Sequence, residues 1–182
     1  MPQTPIYMDH HATTPVDERV LEAMLPYFGA RFGNAASRVH AHGKEARDAV
    51  ETARAEVAAL MGASPEELIF TSGATESDNL AITGTARGRA SEGKHIITVR
   101  TEHKAVLDTC SALEQEGWRV TRLGVDERGL VSPDSVANAL ADDTVLVSVM
   151  LANNEVGVVQ DLTAIGALTR SRGITFHCDA AQ

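Results

Sequence analysis

The run Glu67-Leu-Ile-Phe-Thr-Ser-Gly-Ala-Thr-Glu-Ser-Asp-Asn-Leu-Ala81 gathers groups able to hold an anion at a single bend. Leu68 to Phe70 reads as a short apolar strand, Thr71-Ser72-Gly73 as a break, and a helix restarts near Ala74. Such a bend leaves unpaired backbone N–H groups aimed at one point, with the positive end of the helix dipole behind them. The hydroxyls of Ser72 and Thr75 add donors, so a phosphate needs no lysine there. The plain alternative is a strand-turn-helix in which a Ser or Thr only caps the helix.

Three other apolar strands run into polar residues. Met150 leads into Leu151-Ala-Asn-Asn-Glu-Val-Gly157, Cys178 into Asp179, and His95–Val99 into Thr101-Glu-His-Lys104. In open α/β sheets ligands lie beyond the carboxyl ends of the strands. One site would then collect a phosphate cup, an amide at Asn154, an imidazole at His103 and a carboxylate at Asp179. This set suits pyridoxal 5′-phosphate, whose ring accepts carbanion electrons while its nitrogen stays protonated. A buried aspartate keeps that proton in place by ion pairing. Each residue also has a plainer use: His103 as a surface or helix-capping residue, Asn153-Asn154 as a turn, Asp179 as a helix cap. His40 and His42 stand two apart and share no helix face, so they make a poor metal pair. With His10 and His11 they are given packing or interface roles, and no metal is expected.

The elements that must position these groups alternate after Gly62. Strands are expected at Leu68–Phe70, His95–Val99, Arg119–Leu123, Val145–Met150 and Ile174–Cys178. Helices are expected at Thr75–Ala90, Lys104–Gln115, Ser132–Leu140 and Leu162–Arg172, with Gly93, Gly117 and Gly173 as C-terminal stops. The nearly unbroken apolar run Val145–Met150 suits a parallel strand covered on both faces. The fold class is therefore α/β: three layers, with a mainly parallel sheet flanked by helices. Before Gly62, Asp17–Phe28 and about Val39–Met61 read as helices around a Phe32–Ser37 loop, and Met1–Pro15 as an extended arm.

With 182 residues, 43% of them hydrophobic, the chain is one domain by length and buries a core. A net charge of −9 argues against nucleic acid or an anionic membrane as the main partner. No segment has the roughly 20 apolar residues that span a bilayer. The N-terminus has no secretory pattern, and two cysteines are too few for a disulfide framework, so a cytoplasmic location is expected.

Six ordered motifs carry a family resemblance: Met8–Asp17, Phe32–Arg38, Phe70–Ala81, Thr101–Val106, Asn153–Gly157 and His177–Gln182. From about Ile6 onward the chain resembles the cysteine desulfurases, the NifS/IscS-like members of the class V aminotransferase group. The resemblance implies the large domain of a fold-type I pyridoxal-phosphate enzyme, incomplete here, with residues 1–15 as arm and 16–182 as its N-terminal part. It implies that Ala74 and Thr75 hold the phosphate, and that His103 stacks on the ring and shuttles protons. It pairs Asp179 with the ring nitrogen and Gln182 with the phenolic oxygen, sets Asn154 beside ring and substrate, and brings the Asn34 loop toward substrate. The implied reaction converts L-cysteine to L-alanine and passes sulfur through an enzyme persulfide to acceptors such as an iron–sulfur scaffold protein.

The resemblance places the Schiff-base lysine and the sulfur-accepting cysteine beyond residue 182. Lys44, Lys94, Lys104, Cys110 and Cys178 match neither motif. The chain is therefore expected to be inactive alone, as a fragment, one part of a split enzyme or a truncated chain. Association with a complementary chain or a second copy is expected. Alternatives are a selenocysteine lyase or aminotransferase of the same group, or a non-catalytic subunit. A Rossmann site is discarded, because Gly84-Thr-Ala-Arg-Gly88 falls within a helix pattern.

Overall fold

The computed structural model describes residues 5–182, which divide into two compact units between Phe70 and Thr71. In the first unit, residues 5–15 contain no helix or strand; residues 1–4 of the expected arm lie outside the described part. Helix α1 (Glu18–Met24) starts where Asp17 Oδ1 accepts the Arg19 N–H at 2.9 Å. Its continuation, Leu25–Phe28, tightens into a 3-10 turn at Pro26, which splits the single helix expected over Asp17–Phe28. Helix α2 (Ala41–Met61) is capped by His40, whose Nδ1 accepts the Gly43 N–H, and it ends at Gly62 in the left-handed region.

The Phe32–Ser37 loop is pinned to α2. Arg47 donates to the carbonyls of Ala35 and Ser37, and a Cβ at Gly33 or Gly43 would fall 2.1 Å from a backbone oxygen. The strand expected at Leu68–Phe70 does not form: the segment pairs with no strand among the described residues. A side chain takes the place of a ladder. Arg54 donates to the Leu68 carbonyl at 2.6 Å and lays its guanidinium over the Phe70 ring.

The second unit runs α3 (Ala74–Gly88), β1 (His95–Val99), α4 (Lys104–Gln115), β2 (Arg119–Leu123), α5 (Pro133–Ala139), β3 (Thr144–Ser148), α6 (Leu162–Ser171) and β4 (Thr175–His177). All strand pairs are parallel, in the order β2-β1-β3-β4. Ile82 and Ala86 of α3 and Val106 and Leu113 of α4 pack on one face, against Ile96 and Leu146. Val136 of α5 and Ile165 of α6 pack on the other, against Ile97 and Val147. The expected three layers are therefore present. Gly117 and Gly173 adopt positive φ after their helices, whereas Gly93 does not. Its hydrogen makes room for the Asp143 carbonyl, which a Cβ would meet at 2.2 Å.

Two polar clasps fix the sheet. Arg89, just past α3, donates to the carbonyls of Val145 and Gly173 and to the Thr175 hydroxyl. His95 is fully buried between Thr144 Oγ1 (2.7 Å) and Thr121 Oγ1 (2.8 Å), joining three strands where the β1–β3 register shifts. Burial pulls its pKa down to about 4. The unfolded chain binds that proton near 6.5, so the stability held above this value is lost as pH falls through the folded pKa. Urea unfolding followed by circular dichroism should lose up to about 3 kcal/mol from this source between neutral pH and about pH 4. His95→Gln should flatten that slope.

Candidate active site

The strand order reverses between β1 and β3, since the chain steps from β1 out to β2 and returns across to β3. The carboxyl ends flanking such a switch point form the ligand crevice of open α/β sheets. Here they lead into Arg100–His103 and Val149–Asn154. Glu102 Oε1 accepts the Met150 N–H at 2.7 Å, and Asn153 Nδ2 donates to the Thr101 carbonyl at 2.9 Å. Asn153 Oδ1 also accepts from the N–H groups of Glu155 and Val156, folding the loop over itself. The residues from Arg100 to Lys104 and from Asn153 to Val156 line one cavity of about 460 Å³.

His103 is exposed and is the N-cap of α4, with Nδ1 accepting the Ala105 N–H at 3.1 Å. The capping use is therefore real. It also commits Nδ1 as an acceptor, which puts the proton of the neutral ring on Nε2. Asn154, half-buried, stands beside the fully engaged Asn153.

At the start of α3, Gly73 has φ 151°, a conformation that favours glycine, and no side chain caps the helix. The first helical bond runs from Ser77 N to the Gly73 carbonyl, so helix geometry leaves the N–H groups of Ala74 and Thr75 outside the ladder. Ala74 and Thr75 are exposed. Thr71 Oγ1 meets Ser77 Oγ at 2.7 Å, which braces the bend. Ser72 does not offer a free hydroxyl as expected: its N–H and O–H both go to Glu76 Oε2, at 2.7 and 2.6 Å. That hydroxyl bond in the first place, then the amide bond, holds the Glu76 carboxyl below its usual range. The bend already favours an anion.

Asp179 follows β4 and is buried; its Oδ1 accepts the Ala181 N–H, and its carbonyl accepts from Leu151. Gln182 is exposed three residues on. Asp78, on the inner face of α3 one turn beyond Ala74, puts Oδ1 3.5 Å from His177 Nε2, and His177 Nδ1 meets Ser148 Oγ at 2.9 Å. Burial, then the Asp179 charge, raises Asp78 to about 6. Burial raises Glu102 to about 8. Among the described residues none of these three carboxyls has a Lys or Arg partner.

Residues 71–182 thus bring Ala74, Thr75, His103, Asn154, Asp179 and Gln182 into one unit, and Asn34 lies in the other. Asn34 Oδ1 is spent on the Ala36 N–H. The arrangement fits pyridoxal phosphate at both ends. Uncapped amides suit its phosphate, and carboxyls lacking a cation suit its protonated nitrogen. Sequence alone assigns no site role to Asp78, Glu102 or His177, and it reads Asn153 only as part of a turn. Asp78 had a visible signal, because it continues the inward stripe of Ile82 and Ala86 at steps of four. Glu102 had none, since burial follows from the neighbouring β3 loop.

Residues 6–182 match the family model for aminotransferase class-V. The chain belongs to that family. It is 60% identical over 180 residues to the cysteine desulfurase IscS of Neisseria meningitidis serogroup C, covering 99% of this chain and 45% of the relative. A solved NifS-like protein superposes with a TM-score of 0.92 at 40% identity, covering 96% of this chain and 48% of that one. A structure titled SspA in complex with cysteine gives 0.91 at 43% identity, covering 97% and 50%. The chain spans about half the length of the relatives it matches.

Asn153→Ala removes the bond to the Thr101 carbonyl and leaves the Glu155 and Val156 N–H groups without their acceptor. It should cost about 2–4 kcal/mol in urea unfolding. Hydrogen exchange at Glu155 and Val156 should quicken before the rest of the sheet does.

Proposed function

We propose that this chain forms the phosphate-binding, ring-holding and proton-shuttling part of a pyridoxal-phosphate-dependent cysteine desulfurase. The observation that carries the reading is an uncapped helix N-terminus one turn from buried Asp78, which with Glu102 and Asp179 has no Lys or Arg partner among the described residues. Residues 1–15 would be its arm and 16–182 the N-terminal part of its large domain. In this reading the Ala74 and Thr75 N–H groups and the Thr75 hydroxyl hold the phosphate. Asp179 keeps a proton on the ring nitrogen, and Gln182 donates to the phenolic oxygen. His103 covers the ring face, and Asn154 and Asn34 serve the substrate.

When bound, the cofactor supplies an electron sink for the carbanion formed at the substrate α-carbon. The chain's own contribution is to hold and move protons around it. With Nδ1 of His103 tied to the α4 N-terminus, Nε2 is the nitrogen that gives or takes a proton. Asp179 works from a buried position, where a charge pair is strong. Cysteine as substrate is supported by the cysteine complex of the SspA relative. In the proposed reaction L-cysteine yields L-alanine, and the sulfur passes as a persulfide to an acceptor such as an iron–sulfur scaffold protein in the cytoplasm.

The Schiff-base lysine and sulfur-carrying thiol are taken from outside residues 1–182, and assembly as a homodimer or with a complementary chain is part of the reading. Burial lifts the thiols of Cys110 and Cys178 to about 11, which suits neither to act as a thiolate at neutral pH. Lys104 Nζ is paired with Asp108 at 2.5 Å on the surface of α4.

Pyridoxal phosphate titrated into the chain should bind without a covalent bond, and Asp179→Asn should weaken binding by roughly tenfold or more. Borohydride reduction followed by intact mass should give no adduct specific to one lysine. A specific adduct at Lys104 would overturn the division of labour. Supplied in trans with the remaining part of a curated relative, the chain should yield sulfide and alanine from L-cysteine. Amino transfer to a keto acid instead would make it an aminotransferase.

A further inference from the structure

Asp78, Glu102 and Asp179 are 4%, 6% and 8% exposed, and they come from α3, the loop after β1 and the end of β4. Asp78 Oδ2 and Glu102 Oε2 have no hydrogen-bond partner among the described residues. The groups around them offer little positive charge. His177 meets Asp78 at 3.5 Å, but burial lowers its pKa and so disfavours its charged form. His103 acts on Asp78 from the α4 cap, and the thiols of Cys110 and Cys178 both feel Glu102. Arg122 bonds to Glu114 and Ser111 instead. Three negative charges are not stable in such a place, so protons must replace the missing cations.

We propose that the buried carboxyls of Asp78 and Glu102 carry protons in place of a cation, and that a cation taken up at Asp179 expels a proton from them. The inference rests on the reading of Asp179 as the partner of a protonated ring nitrogen. Without that cation, burial holds Glu102 at about 8 against the Met150 N–H bond, with the Asp179 and Asp78 charges adding to it, and burial and then the Asp179 charge hold Asp78 at about 6. Near neutral pH the cluster therefore stores close to one proton, mainly on Glu102. A pyridinium beside Asp179 cancels one of the charges that raise both groups. A carboxylic O–H bond then breaks, its electron pair stays on the oxygen, and the proton leaves to solvent. Glu102 and Asp78 are positioning residues in this scheme, since they act through Asp179. Binding becomes an exchange of one positive charge for another, so the buried site never holds its full negative charge.

The test uses pyridoxine 5′-phosphate, which has the ring nitrogen and the phosphate but no aldehyde to react with amines. Its titration into the chain is followed by calorimetry near neutral pH in buffers of different ionisation enthalpy, which counts protons released. Benzyl phosphate, with the same phosphate arm and no ring nitrogen, is the reference. Roughly one more proton should leave with pyridoxine phosphate than with benzyl phosphate, and Glu102→Gln should cut that excess by at least about half. Asp78→Asn removes one of the charges that raise Glu102 and should move the Glu102 release to lower pH, and it serves in place of Glu102→Gln if that variant does not fold. An equal proton count for the two ligands on the unaltered chain overturns the exchange and leaves the cofactor reading standing. No binding of pyridoxine phosphate overturns that reading, and the exchange with it.

Discussion

Two hydrogen bonds hold the carboxyl end of the sheet in its working shape. One runs from the Met150 N–H to Glu102, the other from Asn153 Nδ2 to the Thr101 carbonyl, and together they close β1 onto β3 beyond the last strand pairing. Parallel strands diverge once their ladder stops, and loops there would wander without such a stitch. Because the stitch sits one residue from His103 and one from Asn154, it fixes the imidazole and the amide relative to each other. The remaining features of the site depend on that fixed pair of loops.

The site is polarised around this frame. At one end α3 presents amides with no cap; at the other, buried carboxyls lie without a Lys or Arg partner among the described residues. Such an arrangement costs stability when empty, since desolvated acids must stay protonated or suffer repulsion. The surrounding sheet supports it through apolar packing on both faces, from Ile82 and Val106 on one side and Val136 and Ile165 on the other. A ligand carrying an anion and a cation at a suitable spacing relieves both ends at once.

Much of this was legible in the residues. Periodicity located β1, β2 and α4 to the residue: the covered strand β1 reads as an apolar run, and Gly117 stops α4 through positive φ. The site residues of the second unit could be grouped because each follows a strand end or opens a helix. What escaped was long-range in origin. Leu68–Phe70 has a strand's composition, yet Arg54, fourteen residues earlier, takes its carbonyl. Gly93 looked like a helix stop, but it serves the close approach of Asp143, fifty residues on, which local pattern does not encode. Ser72 gave up its hydroxyl to Glu76, a competition between neighbours that only geometry resolves. Glu102 and Asn153 owe their importance to the register of β1 beside β3.

Arg89 and Asp78 fasten α3 to β4 from both extremities, one through Gly173 and Thr175, the other through His177. A helix nailed down twice cannot slide to suit whatever arrives. The span from its first amides to the acid at the end of β4 is consequently a gauge built into the scaffold. In the proposed reading, molecules would be sorted by the separation of their own opposite charges, before any bond in them is touched.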